Sequence, residues 1–243
     1  MLLTTQAVVL QTTRHEESSL IVHLFTEEAG MVHAVARNPR TRAGRNRAGT
    51  RLLQPLALVE VSLNRQASRP LSYIKEVHTA EPFFRIPSDP IRGSIAFFLA
   101  EFLNYALAQE GENRPLFAFL RESFRRLDRA ERGIPNFHIA FLFRLSLFLG
   151  IRPLTESYTR GAFFDLREAA FVATRPYHPD VLQPEEATQF ALMLRMSYDT
   201  MHLFALSRQQ RNRCLELLLR YYKLHIPSLP ELKSYDVLKE LFV

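Results

Sequence analysis

The amino-acid sequence predicts an α+β chain, with a small β-barrel of the OB-fold type at the N-terminus and an all-helical domain after it. Three observations lead there. Residues 1–80 carry five short apolar runs separated by turn-forming residues, which suits a small closed barrel. Pro82, Pro87 and Pro90 then mark a shift in composition. Beyond them apolar residues recur at three- and four-residue steps, the helical period. The expected domains are residues 1–80, an OB-fold that binds nucleic acid, and 81–243, helical, with an irregular zinc-free insertion at about 155–181.

Taken in order, Gln6–Leu10 is the first apolar run. In the second, Leu20, Val22 and Leu24 alternate with Ile21, His23 and Phe25, so both faces of the strand are partly covered. Thr26–Gly30 is a turn in which Gly30 is free to take a positive φ. Met31–Ala36 completes the hairpin, and Leu56–Leu63 and Leu71–His78 are the fourth and fifth strands. Asp89 then caps a helix with Pro90 at its first position, and Ile91, Ile95, Phe98, Leu99, Phe102 and Ala106 keep the helical period. A second helix starts near Pro115, with Leu116, Phe119, Leu120, Phe124 and Leu127 on one face. The third, Asn136–Leu149, is apolar nearly all round and is expected to be central and buried. Gly150 and Pro153 stop it. Thr155–Val181 breaks the pattern and reads as an irregular excursion with room for a short hairpin. Helices return at Pro184–Met196, Arg208–Leu224 and Leu232–Leu241.

The chain has 243 residues, enough for one large domain or two small ones, and 47% hydrophobic residues, which excludes global disorder. No long uncharged apolar run suggests a transmembrane helix, and the N-terminus does not read as a secretory signal. The single cysteine, Cys214, can neither form an internal disulfide nor build a thiolate zinc site, so the expected setting is the reducing cytoplasm.

The net charge of +6 is unevenly placed. Residues 1–80 hold 10 Lys+Arg against 6 Asp+Glu, and the rest is nearly balanced. Ala29–Val59 contains no acid but carries Arg37, Arg40, Arg42, Arg45, Arg47 and Arg51, among loop-forming Asn38, Pro39, Gly44, Asn46 and Gly49. Like charges this close repel one another and favour a counter-charge such as a phosphate backbone. Only four of the 31 cations are lysines. Arginine pairs two phosphate oxygens at once and stacks on bases. Arg14, Arg65 and Arg69 are supporting candidates. A solvated loop is the plainer reading of such a run.

Two further cationic features are less distinctive. Arg114, Arg121, Arg125, Arg129 and Arg132 recur at helical spacing on the second helix, either as a solvated face with ion pairs or as an anchor for an acidic partner. Arg208, Arg211, Arg213, Arg220 and Lys223 decorate a late helix ending in Tyr221 and Tyr222, which either join the core or stack. Arg144 is the lone charge in Phe137–Leu149 and is expected to be buried against Glu101. No phosphate-binding, dinucleotide, nucleophile-elbow or His-Glu-x-x-His motif is present. His23, His33 and His78 read as structural, and Cys214 as a small core residue. No catalytic residue, cofactor or metal is expected.

The arrangement resembles the bacterial RecO family over the whole chain. Ala7-Val8-Val9-Leu10, Glu17-Ser18-Ser19, Leu24-Phe25-Thr26, Gly30 and Leu53-Gln54-Pro55-Leu56 carry the resemblance in the first part. Phe141, Arg144-Leu145, Leu149-Gly150 and Pro153-Leu154 carry it in the middle, and Tyr222, His225, Leu232-Lys233-Ser234 and Leu238 near the end. Many members have a four-cysteine zinc element after the Gly-x-x-Pro segment. Here Leu154–Pro179 has no cysteine, Phe164-Asp165-Leu166 keeps the aromatic-acidic start, and Ala169-Ala170 stands where the family has Gly-Gly. Packing of Phe163, Phe164, Phe171 and Tyr177 is therefore expected in place of zinc.

The resemblance implies a non-enzymatic mediator of DNA repair and recombination, cytoplasmic and nucleoid-associated. Such proteins bind single- and double-stranded DNA, anneal complementary strands, and with RecR help RecA replace the single-strand binding protein SSB, whose acidic C-terminal tail they also bind. On this reading Arg37, Arg40, Arg42, Arg45, Arg47 and Arg51 hold DNA, and Arg121, Arg125, Arg129 and Arg132 contact the tail. The alternatives are an RNA-binding OB protein, a protein-binding scaffold without catalytic activity, and, against the missing carboxylate cluster, a metal-dependent nuclease.

Overall fold

A computed structural model of the chain describes residues 2–15, 19–37, 52–64 and 71–241. Five strands form a closed barrel: β1 (Leu2–His15), β2 (Ser19–Thr26), β3 (Gly30–Arg37), β4 (Leu58–Asn64) and β5 (Ser72–Glu81). Their order around the barrel is β1-β2-β3-β5-β4. β1 serves two neighbours. Its first half pairs with β4, from Leu2↔Asn64 to Val8↔Leu58. Its second half pairs with β2, from Ala7↔Thr26 to His15↔Ser19, with a register shift between Val9 and Gln11. An irregularity of this kind bends a strand and helps the sheet to close. β3 and β5 meet in parallel through Ala34↔Ser72 and Val35↔Tyr73. Alternate residues point inward, so Ala7, Val9, Val22, Leu24, Val32, Ala34, Val59, Val61 and Leu63 make the barrel core. Gly30 opens β3 at φ 65°, and a Cβ there would collide with the backbone of Glu110 and Gly111.

The chain packs as two compact units, Met1–Arg129 with Leu232–Tyr235, and Ala130–Glu231 with Asp236–Val243. The change from strand to helix, after Glu81, therefore precedes the packing division. In the first unit α1 (Pro90–Ala106) lies on β1 and is followed by α2 (Arg114–Arg129). Asp89 caps α1, accepting from the N–H of Ile91 at 2.9 Å and of Arg92 at 3.3 Å, with Pro90 in the first turn as expected. The buried Asp128 accepts from the N–H of Phe84, Arg85 and Ile86 and holds the segment between barrel and helix. No helix among the described residues is long and apolar enough to cross a membrane.

The second unit is built around α3 (Phe137–Phe148), whose Phe137, Ile139, Phe141, Leu142 and Leu145 are fully buried. A three-stranded sheet follows, β6 (Phe163–Asp165), β7 (Ala170–Val172) and β8 (Val181–Leu182), then α4 (Pro184–Met193), α5 (Arg208–His225) and α6 (Lys233–Leu241). The stretch read as irregular with room for a short hairpin thus carries that hairpin, β6–β7, and a third short strand, β8, beside it. Tyr221 and Tyr222 join the core, the Tyr222 hydroxyl donating to the Leu142 carbonyl at 2.7 Å. Cys214 is buried, which pushes its thiol up to about 12.

Two packing expectations are corrected. Arg144 is exposed, with its guanidinium 6.0 Å over the Tyr198 ring. Glu101 instead accepts from the backbone N–H of Lys233 and Ser234, at 3.1 and 2.8 Å, where the last helix begins. Arg92 and Arg211 are the buried arginines of the described residues. Tyr177 is fully exposed and takes no part in the aromatic cluster. Phe164 packs instead against Phe171 and Phe190, with centroids at 4.7 and 4.8 Å, and Tyr158 closes on Phe171 at 5.0 Å. Nearby, Asp165 accepts from the backbone N–H of Arg167 and Glu168 and lies 3.1 Å from His178 Nε2.

Candidate nucleic-acid interface

The barrel's pairing brings the ends of three connections to one rim. His15 pairs with Ser19, and Ser19 with Arg37. Two residues before Arg37, Val35 pairs with Tyr73 at the start of β5. The chain therefore leaves β1, leaves β3 and enters β5 at neighbouring positions. Arg37 is the last residue of β3; it is exposed, and its guanidinium lies 5.7 Å from the Tyr73 ring centroid. Arg14 is exposed one rung from the end of β1. Among the described residues no carboxylate pairs with Arg14 or Arg37.

The acid-free stretch leaves β3 at Arg37, and its return is well anchored. Leu53 is buried, and its carbonyl accepts from the Thr12 hydroxyl at 2.9 Å. Leu56 takes a left-handed φ of 62°, and its N–H donates to the Val9 carbonyl at 2.7 Å. Val9 N–H in turn donates to the Ala57 carbonyl at 3.0 Å. These bonds fasten residues 53–57 onto β1 at the place where that strand shifts register. Arg40, Arg42, Arg45, Arg47 and Arg51 lie outside the described residues, as do Arg65 and Arg69.

The other cationic faces are engaged differently. On α2, Arg125 Nε lies 2.5 Å from Glu81 and Arg129 Nη2 lies 3.5 Å from the same carboxylate. Arg121 donates to Gln6 at 3.2 Å, and Arg126 pairs with Glu122 at 3.1 Å. The helix brings Arg121, Arg125 and Arg129 together against the barrel. Arg132 lies beyond the helix end, exposed, in the second unit. On α5, Arg213 pairs with Glu186 and Glu216, and Arg220 with Asp180. Arg220 and Arg167 together hold the Asp180 carboxyl below its usual range. Arg211 is buried and donates to Asn136 Oδ1 at 3.1 Å.

Tyr73 is the rim residue that the sequence reading missed. The signal was available, since Ile74 packs inward and alternation then turns Tyr73 outward. Among the described residues, no three His, Cys, Asp or Glu side chains group as a metal site.

Comparison with known proteins covers the same span. The family model for the Recombination protein O N terminal matches residues 1–83, and that for the Recombination protein O C terminal matches residues 87–236. A DNA repair protein RecO of Phocaeicola vulgatus is 48% identical over 242 residues, covering all of both chains. The DNA repair proteins RecO of Bacteroides fragilis and Porphyromonas gingivalis are 43% and 36% identical, again over the full length of each.

Proposed function

The chain belongs to the RecO family of DNA repair proteins, and from that premise we propose that it holds single- and double-stranded DNA at the barrel rim marked by Arg37. The observation that carries the reading is the contrast between cationic faces. The α2 and α5 arginines are largely spent on internal carboxylates, whereas Arg14 and Arg37 meet none among the described residues. The sequence adds five more arginines and no acid directly after Arg37. Arginines that track phosphates read no bases, so binding is expected to be indifferent to sequence. Annealing brings two polyanions together, and the same arginines lower that repulsion. We assign the protein a non-enzymatic role, annealing strands and, with RecR, helping RecA load on SSB-coated DNA.

The test is affinity as a function of salt. Log affinity for a single strand falls linearly with log salt, and Arg42→Ala, Arg45→Ala and Arg47→Ala together reduce the slope by about 0.7–0.9 per phosphate contact removed. An unchanged slope would remove this segment from the interface, and a clear preference for matched RNA would favour a different function. For the acidic SSB tail we keep the α2 side, where Arg121 meets the neutral Gln6 and a tail carboxylate would share Arg125 and Arg129 with Glu81, with Arg132 tested separately. Their replacement by alanine should weaken binding of a tail peptide and leave the DNA salt slope intact.

A further inference from the structure

Away from the rim, β2 and β3 place two imidazoles side by side. His23 and His33 are register partners, and their rings stack with centroids 4.1 Å apart and planes 26° apart. His23 is held from behind. Its Nδ1 lies 2.6 Å from Oδ1 of Asn104, on α1. Asn104 is 7% exposed, and its Nδ2 donates to Gln11 Oε1 at 2.9 Å. That bond turns the amide so that oxygen faces His23. An amide oxygen only accepts, so Nδ1 of His23 donates to it and Nε2 is the ring nitrogen left to face a ligand. His33 is exposed, and partial burial together with the neighbouring His23 lowers its pKa from the ordinary 6.5.

We propose that His23 and His33 form a two-histidine site for a divalent transition-metal ion of the copper, nickel and zinc class, supported by Asn104 and Gln11. Neutral imidazole suits these ions, whereas calcium and magnesium take oxygen ligands. A ligating histidine commonly donates its other N–H to a fixed oxygen, which sets ring orientation and raises ligand basicity. Here the His23–Asn104–Gln11 chain supplies that arrangement. With His23 kept in place by Asn104, a turn of the exposed His33 side chain is the movement that would bring one of its nitrogens and His23 Nε2 to the roughly 2.0–2.1 Å from a shared ion that such ions require. Water completes the coordination. A bound ion would tie β2 to β3 and, through Asn104, to α1.

The experiment titrates the full-length protein with Cu²⁺, reading nitrogen coupling by electron paramagnetic resonance, and with Ni²⁺ and Zn²⁺ by calorimetry. One ion held by two imidazole nitrogens is expected, with Cu²⁺ the tightest. His33→Gln is the deciding variant, because His33 is exposed and its loss leaves the core intact. It should abolish this site, as should His23→Gln. Asn104→Ala should weaken binding by about 10–100-fold, and Asn104→Asp, which keeps the acceptor, should restore it. His78→Gln, altering a histidine beside Glu76 on β5, should change nothing. Wild-type binding in His33→Gln, or unchanged affinity in Asn104→Ala, would overturn the proposal.

Discussion

His138 shows how strongly one buried group can tie stability to pH. It lies in α3, 1% exposed, and burial first, then the Arg211 charge, lower its pKa to about 3 from 6.5. Below 6.5 the unfolded chain takes up a proton that the folded chain refuses, so stability falls as the pH drops through this window. Urea unfolding at pH 6 and pH 5 should show a loss about 1 kcal/mol greater for the wild type than for His138→Gln. Equal losses would mean that His138 is not kept neutral. The same helix explains a misreading. A lone charge in an apolar helix suggested a buried Arg144. Arg144 and Leu147 are both exposed, so the charge marks the helix's solvent-facing line. Of the two buried arginines of the described residues, Arg211 sits among four other cations on a polar-looking helix, where nothing in the spacing sets it apart.

At the scale of elements, alternation and the helical period made the five strands and six described helices legible. Strand ends were not, because polar residues such as Thr12 to His15 extend the β1 ladder without apolar side chains. The short hairpin allowed for at 155–181 is β6–β7, but the bounds of β6 to β8 were not legible, since each has at most three residues, too few to show a period. Joints between elements were also invisible. Asp128 lies on α2, yet its carboxylate takes three consecutive backbone N–H groups some 42–44 residues earlier in the chain. Replacing it with alanine leaves the buried Ile86 N–H without an acceptor, at about 1–3 kcal/mol for an unsatisfied group, and frees the part-buried Phe84 and Arg85 N–H groups. We expect Asp128→Ala to lower unfolding free energy by about 3 kcal/mol in chemical denaturation. A loss under 1 kcal/mol would show that water or another acceptor replaces the carboxylate. Ala169, in the turn between β6 and β7, holds a left-handed φ of 55°. The cost of that conformation exceeds glycine's extra chain entropy, so Ala169→Gly should raise stability by about 0.5–1 kcal/mol.

Across the whole molecule the net charge of +6 matters less than where charge is left unpaired. The sequence displayed three cationic features and could not rank them, because the carboxylates that neutralise two of them are distant in the chain. Glu81 meets Arg125 across 44 positions, Glu186 meets Arg213 across 27, and Asp180 meets Arg220 across 40. Folding brings those pairs together and leaves the barrel rim, with Arg14, Arg37 and Tyr73, as the cationic edge from which the acid-free arginine segment departs. The most direct test of the DNA-holding role is annealing of complementary strands coated with single-strand binding protein. Wild-type protein should anneal them, and the variant with Arg42, Arg45 and Arg47 changed to alanine should be slower by at least about tenfold at moderate salt, as expected when several phosphate contacts are lost. Annealing by that variant at the wild-type rate would contradict the account.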